Sequence, residues 1–192
     1  MNESTLIKSV FGKNMELSSE AFEFLKSSFE VKDFSARELI TEAGDVEHYF
    51  YLVVSGVQAI YLITDKGEKV ILGFSFQGSP SGAFDSFINE TPSSLFLEAL
   101  TSSRLLAMNR KSFTELFERY PSFYKWKSDF LETILLGRLS REVEMLTYSA
   151  KQRFDVFMKR CPKELLEIPQ KYLASYLNMK PETFSRLRAL KD

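Results

Sequence analysis

A chain of 192 residues with 44% hydrophobic content and 18 phenylalanines is long enough for one large domain or two small ones around a real core. No run of 18 apolar residues is present, which excludes a membrane-spanning helix, and the start MNESTLIKSVFGK lacks the basic and apolar regions of a secretory leader. The single cysteine, Cys161, excludes an internal disulfide and fits a reducing compartment, so a cytoplasmic protein is expected; the net charge of −1 hides an uneven distribution along the chain.

Residues 4–10 and 18–29 read as short helices. In Leu17-Ser18-Ser19-Glu20-Ala21 a serine cap precedes an acidic residue, and Phe22, Leu25 and Phe29 recur at helical spacing. From Val31 the pattern changes to short apolar runs: Glu38–Thr41, Phe50–Val54, Val57–Thr64, Lys69–Phe76, Ser94–Leu100 and Leu105–Asn109. Turn residues separate them, at Gly44-Asp45, Ser55-Gly56, Lys66-Gly67, Gly78 and Ser81-Gly82. Several short strands with turns at this spacing predict a sandwich or barrel. Val70, Leu72, Phe74 and Phe76 alternate, which predicts one buried face on that strand. Asp33, Asp45 and Asp65 are expected in turns, and His48 on the surface.

Ser112–Arg119 reads as a short helix, and Pro121–Thr147 as one long helix with Gly137 as its one glycine. Phe123, Trp126, Phe130 and Ile134 form one apolar stripe; Leu131, Leu135, Leu139, Val143 and Leu146 form a second. A helix that is apolar on two sides must be covered on two sides. One side can pack on its own strands and the other on a second copy, although a single buried helix in a monomer fits the same pattern. Ala150–Arg160 follows as an amphipathic helix with Phe154, Phe157 and Met158 inward.

The stretch from Ile168 to Leu190, IPQKYLASYLNMKPETFSRLRAL, reads as two short helices around a tight turn. Leu173, Ala174 and Leu177 form the inner face of the first, and Met179 plugs the turn. Pro181 starts the second helix, where its missing N–H costs nothing, and pushes Lys180 out of the α region. Phe184 and Leu187 point inward. Glu182, Ser185, Arg186 and Ala189 then share the opposite face, at i, i+3, i+4 and i+7. An exposed arginine can grip guanine through two parallel bonds, a glutamate can accept from cytosine, and a small alanine lets the helix sit deep in a groove. From Ser149 onward ten basic residues face five acidic ones, a net of +5, which leaves −6 for the rest of the chain. A basic segment on an acidic body suits a phosphate backbone. Lys151, Arg153, Lys159 and Lys171 are candidate phosphate contacts, with a solvated face as the plain alternative. A surface helical hairpin with ordinary polar residues outside is the competing interpretation of the pair.

The string LASYLNMKPETFSRLR resembles the helix-turn-helix of the Crp/Fnr family of bacterial transcription regulators. Glu182, Thr183, Ser185 and Arg186 match that family's Glu-Thr, Ser or Gly, Arg pattern. The usual turn glycine is Asn178 here, the next-best residue for a left-handed backbone. Upstream, Leu39–Asp45 and Phe50–Gly56 resemble two signatures of the cyclic-nucleotide-binding fold, a small jelly roll. The resemblance implies an α+β protein: a jelly-roll effector domain over 1–120, a dimerisation helix over 121–148 and a helix-turn-helix domain over 149–192. It further implies a homodimer on a palindromic double-stranded DNA site, RNA polymerase as a further partner, and Lys171, Lys180, Arg188 and Ala189 as DNA contacts beside the four matched residues. The remaining alternative is a sensor or adaptor of the same fold that does not bind DNA.

The ligand loop departs from that pattern. Nucleotide-binding members carry Gly-Glu and then Arg-Ser or Arg-Thr, the arginine neutralising the cyclic phosphate and the glutamate holding the ribose. Here the pairs are Gly82-Ala83 and Ser93-Ser94. A buried phosphate without a cation is costly. Asp85 and Glu90 would repel it further, and Arg104 is the nearby cation able to swing in. Poor binding of cyclic AMP or cyclic GMP is therefore expected. The degenerate effector pocket (Gly82, Ala83, Phe84, Ser93, Ser94) is then filled by the chain's own Phe84, Phe87 and Phe96, or takes a less charged, unknown effector. No catalytic set, metal or cofactor is expected: a cupin-type metal site needs several histidines, an iron–sulfur cluster several cysteines. Cys161, next to Pro162, reads as a helix-end packing residue.

Overall fold

The computed structural model describes residues 2–13 and 15–190. Lys191 and Asp192 of the basic tail lie outside the described residues. Two helices open the chain, α1 (Glu3–Phe11) and α2 (Ser19–Ser28), each on a side-chain cap. Asn2 accepts from the Thr5 amide at 2.7 Å, and Ser18 from that of Ala21 at 3.2 Å. Eight strands follow among the described residues: β1 (Phe29–Phe34), β2 (Leu39–Thr41), β3 (Tyr49–Ser55), β4 (Gln58–Ile63), β5 (Lys69–Ser75), β6 (Pro80–Ser81), β7 (Phe96–Ala99) and β8 (Ser103–Asn109). They form two antiparallel four-stranded sheets, ordered β1-β8-β3-β6 and β2-β7-β4-β5. Helix α3 (Phe84–Asn89) interrupts them. Then come α4 (Arg110–Arg119), the 25-residue α5 (Phe123–Thr147), α6 (Ala150–Arg160), a 3-10 turn at Lys163–Leu166, α7 (Gln170–Tyr176) and α8 (Pro181–Ala189). The expected α+β order of sandwich, long helix and small helical unit is what the chain adopts.

Three apolar clusters hold these pieces. Tyr51, Val53, Leu97, Leu105 and Ala107 fill the space between the sheets. A second cluster joins α1, α2, α4 and the start of α5 to the first sheet. In it the Phe11 ring lies 4.5 Å from that of Trp126, whose indole N–H donates to the Val10 carbonyl at 3.0 Å. The third cluster covers the outer face of the second sheet. Val57, Ala59, Tyr61 and Ile71 meet Phe154, Phe157, Leu173 and Phe184 there.

Several local expectations are corrected. Phe29–Phe34 is an edge strand. Its Glu30 and Asp33 are exposed, and Asp33 is opposite Arg104 on β8 rather than in a turn. Phe84–Asn89 is a helix where a plain loop was expected. The simple alternation of β5 fails because its register with β4 shifts between the Ile60–Gly73 and Tyr61–Ile71 pairs. Leu72 then has no opposite residue, and Ile71 and Phe74 fall on the same face. Ile71 is the fully buried residue, while Val70, Leu72, Phe74 and Phe76 are half-buried. His48 is exposed, as expected.

Candidate nucleic-acid interface and ligand loop

The helix pair is shaped by its turn. Leu173, Ala174 and Leu177 are fully buried, and the Leu177 amide closes α7 on the Leu173 carbonyl. Asn178 takes the left-handed backbone, φ +50°, that was expected of it. The Met179 amide donates to Ala174 at 3.0 Å, and Met179 packs half-buried into the gap. Lys180 is extended, and Pro181 opens α8. Phe184 is fully buried, with its ring edge-to-face on Phe154 at 5.3 Å; Leu187 packs beside it. The other face of α8 carries Glu182, Ser185, Arg186 and Ala189, all exposed. Thr183 and Arg188 flank that face half-buried, and Lys171 and Lys180 are exposed at the start of α7 and in the turn.

Not all of the basic flank faces outward. Arg153 spends its guanidinium on three backbone carbonyls: Leu177 at 2.9 Å, Asn178 at 3.0 Å and Tyr148 at 2.7 Å. It clamps the turn to α6 and is not positioned as a phosphate contact. Arg160 gives both terminal nitrogens to Glu144 at 2.7 Å each, where the carboxylate is buried at the end of α5. Lys151 pairs with Asp155 one turn along its own helix.

The helical unit is docked on the second sheet. Ser175 of α7 accepts from the Ile71 amide at 3.1 Å and donates to the Lys69 carbonyl at 3.0 Å, both on the outer edge of β5. From α5, Arg138 reaches the Leu72 carbonyl at 3.2 Å and Arg141 the Tyr176 carbonyl at 2.8 Å.

The ligand loop runs from Gly82, at φ +144°, to Ser94. Ala83 is fully buried, and α3 starts directly after it. Asp85 turns back across the loop. Its carboxylate accepts from the Ser93 hydroxyl at 3.1 Å on both oxygens, from the Ser94 amide at 3.1 Å and from the Ser94 hydroxyl at 3.4 Å. Phe84 lies 6.2 Å from Phe50 and 5.8 Å from Phe130, and Phe87 is buried against Phe113. Phe96 does not join them. It stacks on Tyr61 at 5.2 Å, among the residues under the helical unit, because β7 turns it to the outer side of its sheet. Arg104 does not swing in either, since Asp33 opposite holds it through two bonds of 2.7 and 2.9 Å. That pair lowers the Asp33 carboxyl below its usual range.

One buried group had no sequence signal. Glu47 lies in a polar turn, yet it is buried and accepts from the Thr41 hydroxyl at 2.5 Å and the Tyr49 amide at 2.9 Å. Its own amide donates to Ser86, which ties α3 to the β2–β3 connection. Burial, with Glu47 nearby, raises the Tyr51 phenol well above its usual range. Among the described residues no group of three or more His, Cys, Asp or Glu is placed to hold a metal, and no helix is long and apolar enough to cross a membrane.

Residues 31–120 match the cyclic nucleotide-binding domain family. No curated protein sequence matches the chain. Among solved structures, the chain is similar to the c-di-GMP responsive global regulator CLP of Xanthomonas campestris, with a TM-score of 0.71 and 18% identity over 91% of this chain and 92% of that one. It is similar to FixK2 of Bradyrhizobium japonicum, with a TM-score of 0.75 and 18% identity over 84% and 83%. The catabolite activator protein of Thermus thermophilus has a TM-score of 0.55 and 24% identity over 91% and 83%. At these identities the likeness is one of fold. That fold is a cyclic-nucleotide-binding-type sandwich, a long helix and a small helical unit.

Proposed function

We propose that the protein is a DNA-binding transcription regulator of Crp/Fnr type, acting in the cytoplasm as a homodimer on a palindromic site. The observation that carries this is the joint exposure of Glu182, Ser185, Arg186 and Ala189 on one face of α8, with Phe184 and Leu187 anchoring the opposite face. In this reading Arg186 and Glu182 read base edges, Ser185 and Ala189 fit the groove, and Thr183 and Arg188 flank the contact. Lys171 and Lys180 bind phosphates. The effector unit is 1–120, the dimer helix 121–148 and the DNA unit 149–192. The uncovered apolar row on α5 supports a two-fold seam, which would set two recognition helices about one DNA turn apart. RNA polymerase is the further partner such a regulator contacts.

The ligand loop supports a regulator that does not answer to cyclic AMP. The hydroxyls and amide of Ser93 and Ser94, which would serve a phosphate, are already bound to the carboxylate of Asp85, and no arginine stands among them. A phosphate there would have to displace a like charge.

Selection of bound duplexes from a random pool, followed by titration over a salt series, tests the DNA reading. Affinity for the selected site should fall steeply with salt, because each phosphate contact releases counterions. Arg186→Ala should cost about 1–3 kcal/mol on that site and relax its base preference. Salt-insensitive binding, or an unchanged preference, would assign the tail to a protein partner instead, as in a sensor or adaptor.

A further inference from the structure

A cavity of about 390 Å³ opens between the second sheet and α5, within the roughly 300–1,000 Å³ range of small-molecule sites. Its walls are apolar, with Ile60, Leu72, Leu97, Phe130 and Ile134 among them, and Gly82 and Phe84 of the ligand loop line it too, so it is the effector pocket of the regulator proposed above. Two of its lining residues are cations, Arg138 and Arg141, one turn apart on α5, and among the described residues no carboxylate lines it. Arg141 is only partly satisfied. It reaches the Tyr176 carbonyl and lies 4.5 Å over the Tyr176 ring, but its buried Nε has no partner among the described residues. Gly137, next to Arg138 on the helix, lines the cavity too. A Cβ at this position would meet nothing within 4 Å, so packing does not require the glycine, although glycine weakens a helix interior by about 0.5–1 kcal/mol. Its effect is to keep the space open.

We propose that this cavity binds a small organic acid with an apolar body, its carboxylate held by Arg141 with help from Arg138. The apolar walls take the body. A carboxylate supplies Arg141 with the planar, two-oxygen partner its fork geometry matches, in place of a single carbonyl. The bond given up is the one from α5 to Tyr176 on α7. Occupancy therefore loosens the tie between the long helix and the helical unit. This last step rests on the DNA-binding reading; the binding step does not.

The test uses the full chain without DNA. Octanoate and 3-phenylpropanoate are titrated by calorimetry and by the fluorescence of Trp126, the chain's one tryptophan, which stacks on Phe130 at 5.4 Å. Octanol and 3-phenylpropanol are the neutral comparators. At least one acid should bind saturably, at least about tenfold more tightly than its alcohol, as expected of a charge-assisted bond. Arg141→Met should reduce the acid to the level of the alcohol, and Arg141→Lys should recover part of the difference. Gly137→Leu, which adds bulk at a lining position, should abolish binding of both. The proposal is overturned if neither acid saturates, if acid and alcohol bind equally, or if Gly137→Leu binds as before. Should Arg141→Met fail to fold, the acid–alcohol comparison in the unaltered protein still decides. Binding of acid by a protein that ignores DNA would sink the regulator reading alone; DNA binding with no acid binding would sink this one alone.

Discussion

At Cys161 the thiol is half-buried at the end of α6, and burial, with Glu164 nearby, pushes it up to about 11. The thiolate is the reactive form, so at pH 8 only about a thousandth of it is available. Alkylation by iodoacetamide should be slow at pH 8 and accelerate as the pH climbs toward 11. A rate at pH 8 matching that of a free cysteine peptide would contradict this placement. The arginines of the tail show the same dependence on surroundings. Arg186 is exposed and makes no bond to the other described residues, whereas Arg153 binds three carbonyls and Arg160 a buried carboxylate. Counting charges from Ser149 onward treats these side chains alike; only their neighbours separate a groove-reader from a clamp.

Helix α5 buries Phe123 and Trp126 on one side and leaves Leu135, Leu139, Val143 and Leu146 between 48% and 78% exposed on the other. An apolar row of that length on one helix is what a second copy would cover. The double variant Leu135→Asp with Leu139→Asp should turn a dimer into a monomer by sedimentation, with the near-ultraviolet signal of Trp126 unchanged. A dimer that persists would place the seam elsewhere. Both stripes of α5 and the turn between α7 and α8 were legible in the sequence, because each depends on local rules: helical spacing, Asn178 in the left-handed region, proline at a first turn. What escaped depends on distant partners. Helix α3 has no side-chain cap to announce it, and β1 carries outward charges that mask its pairing with β8. The shift at Leu72 can be seen only against β4. In the ligand loop the missing arginine and glutamate could be read directly, but the closure of Asp85 onto Ser93 and Ser94 could not.

Across the whole molecule, sandwich and helical unit share one apolar cluster; Ser175 ties the unit to β5, while Arg141 on Tyr176 and Arg160 on Glu144 tie it to α5. Arg160→Ala leaves the Glu144 carboxylate buried with only a long contact from Ser140. Losing bonds to a charged group should cost about 1.5–3 kcal/mol, seen as a lower denaturant midpoint at constant slope. A midpoint unchanged within error would show that water already satisfies Glu144. The tie at Ser175 has a different consequence. Strand β5 is the margin of its sheet, and α7 sheathes it. Any excursion that lifts the helices bares a row of peptide groups ready to zip onto another chain. The freer the helical unit becomes, the more the molecule courts self-aggregation, so the sheath guards solubility as well as posture.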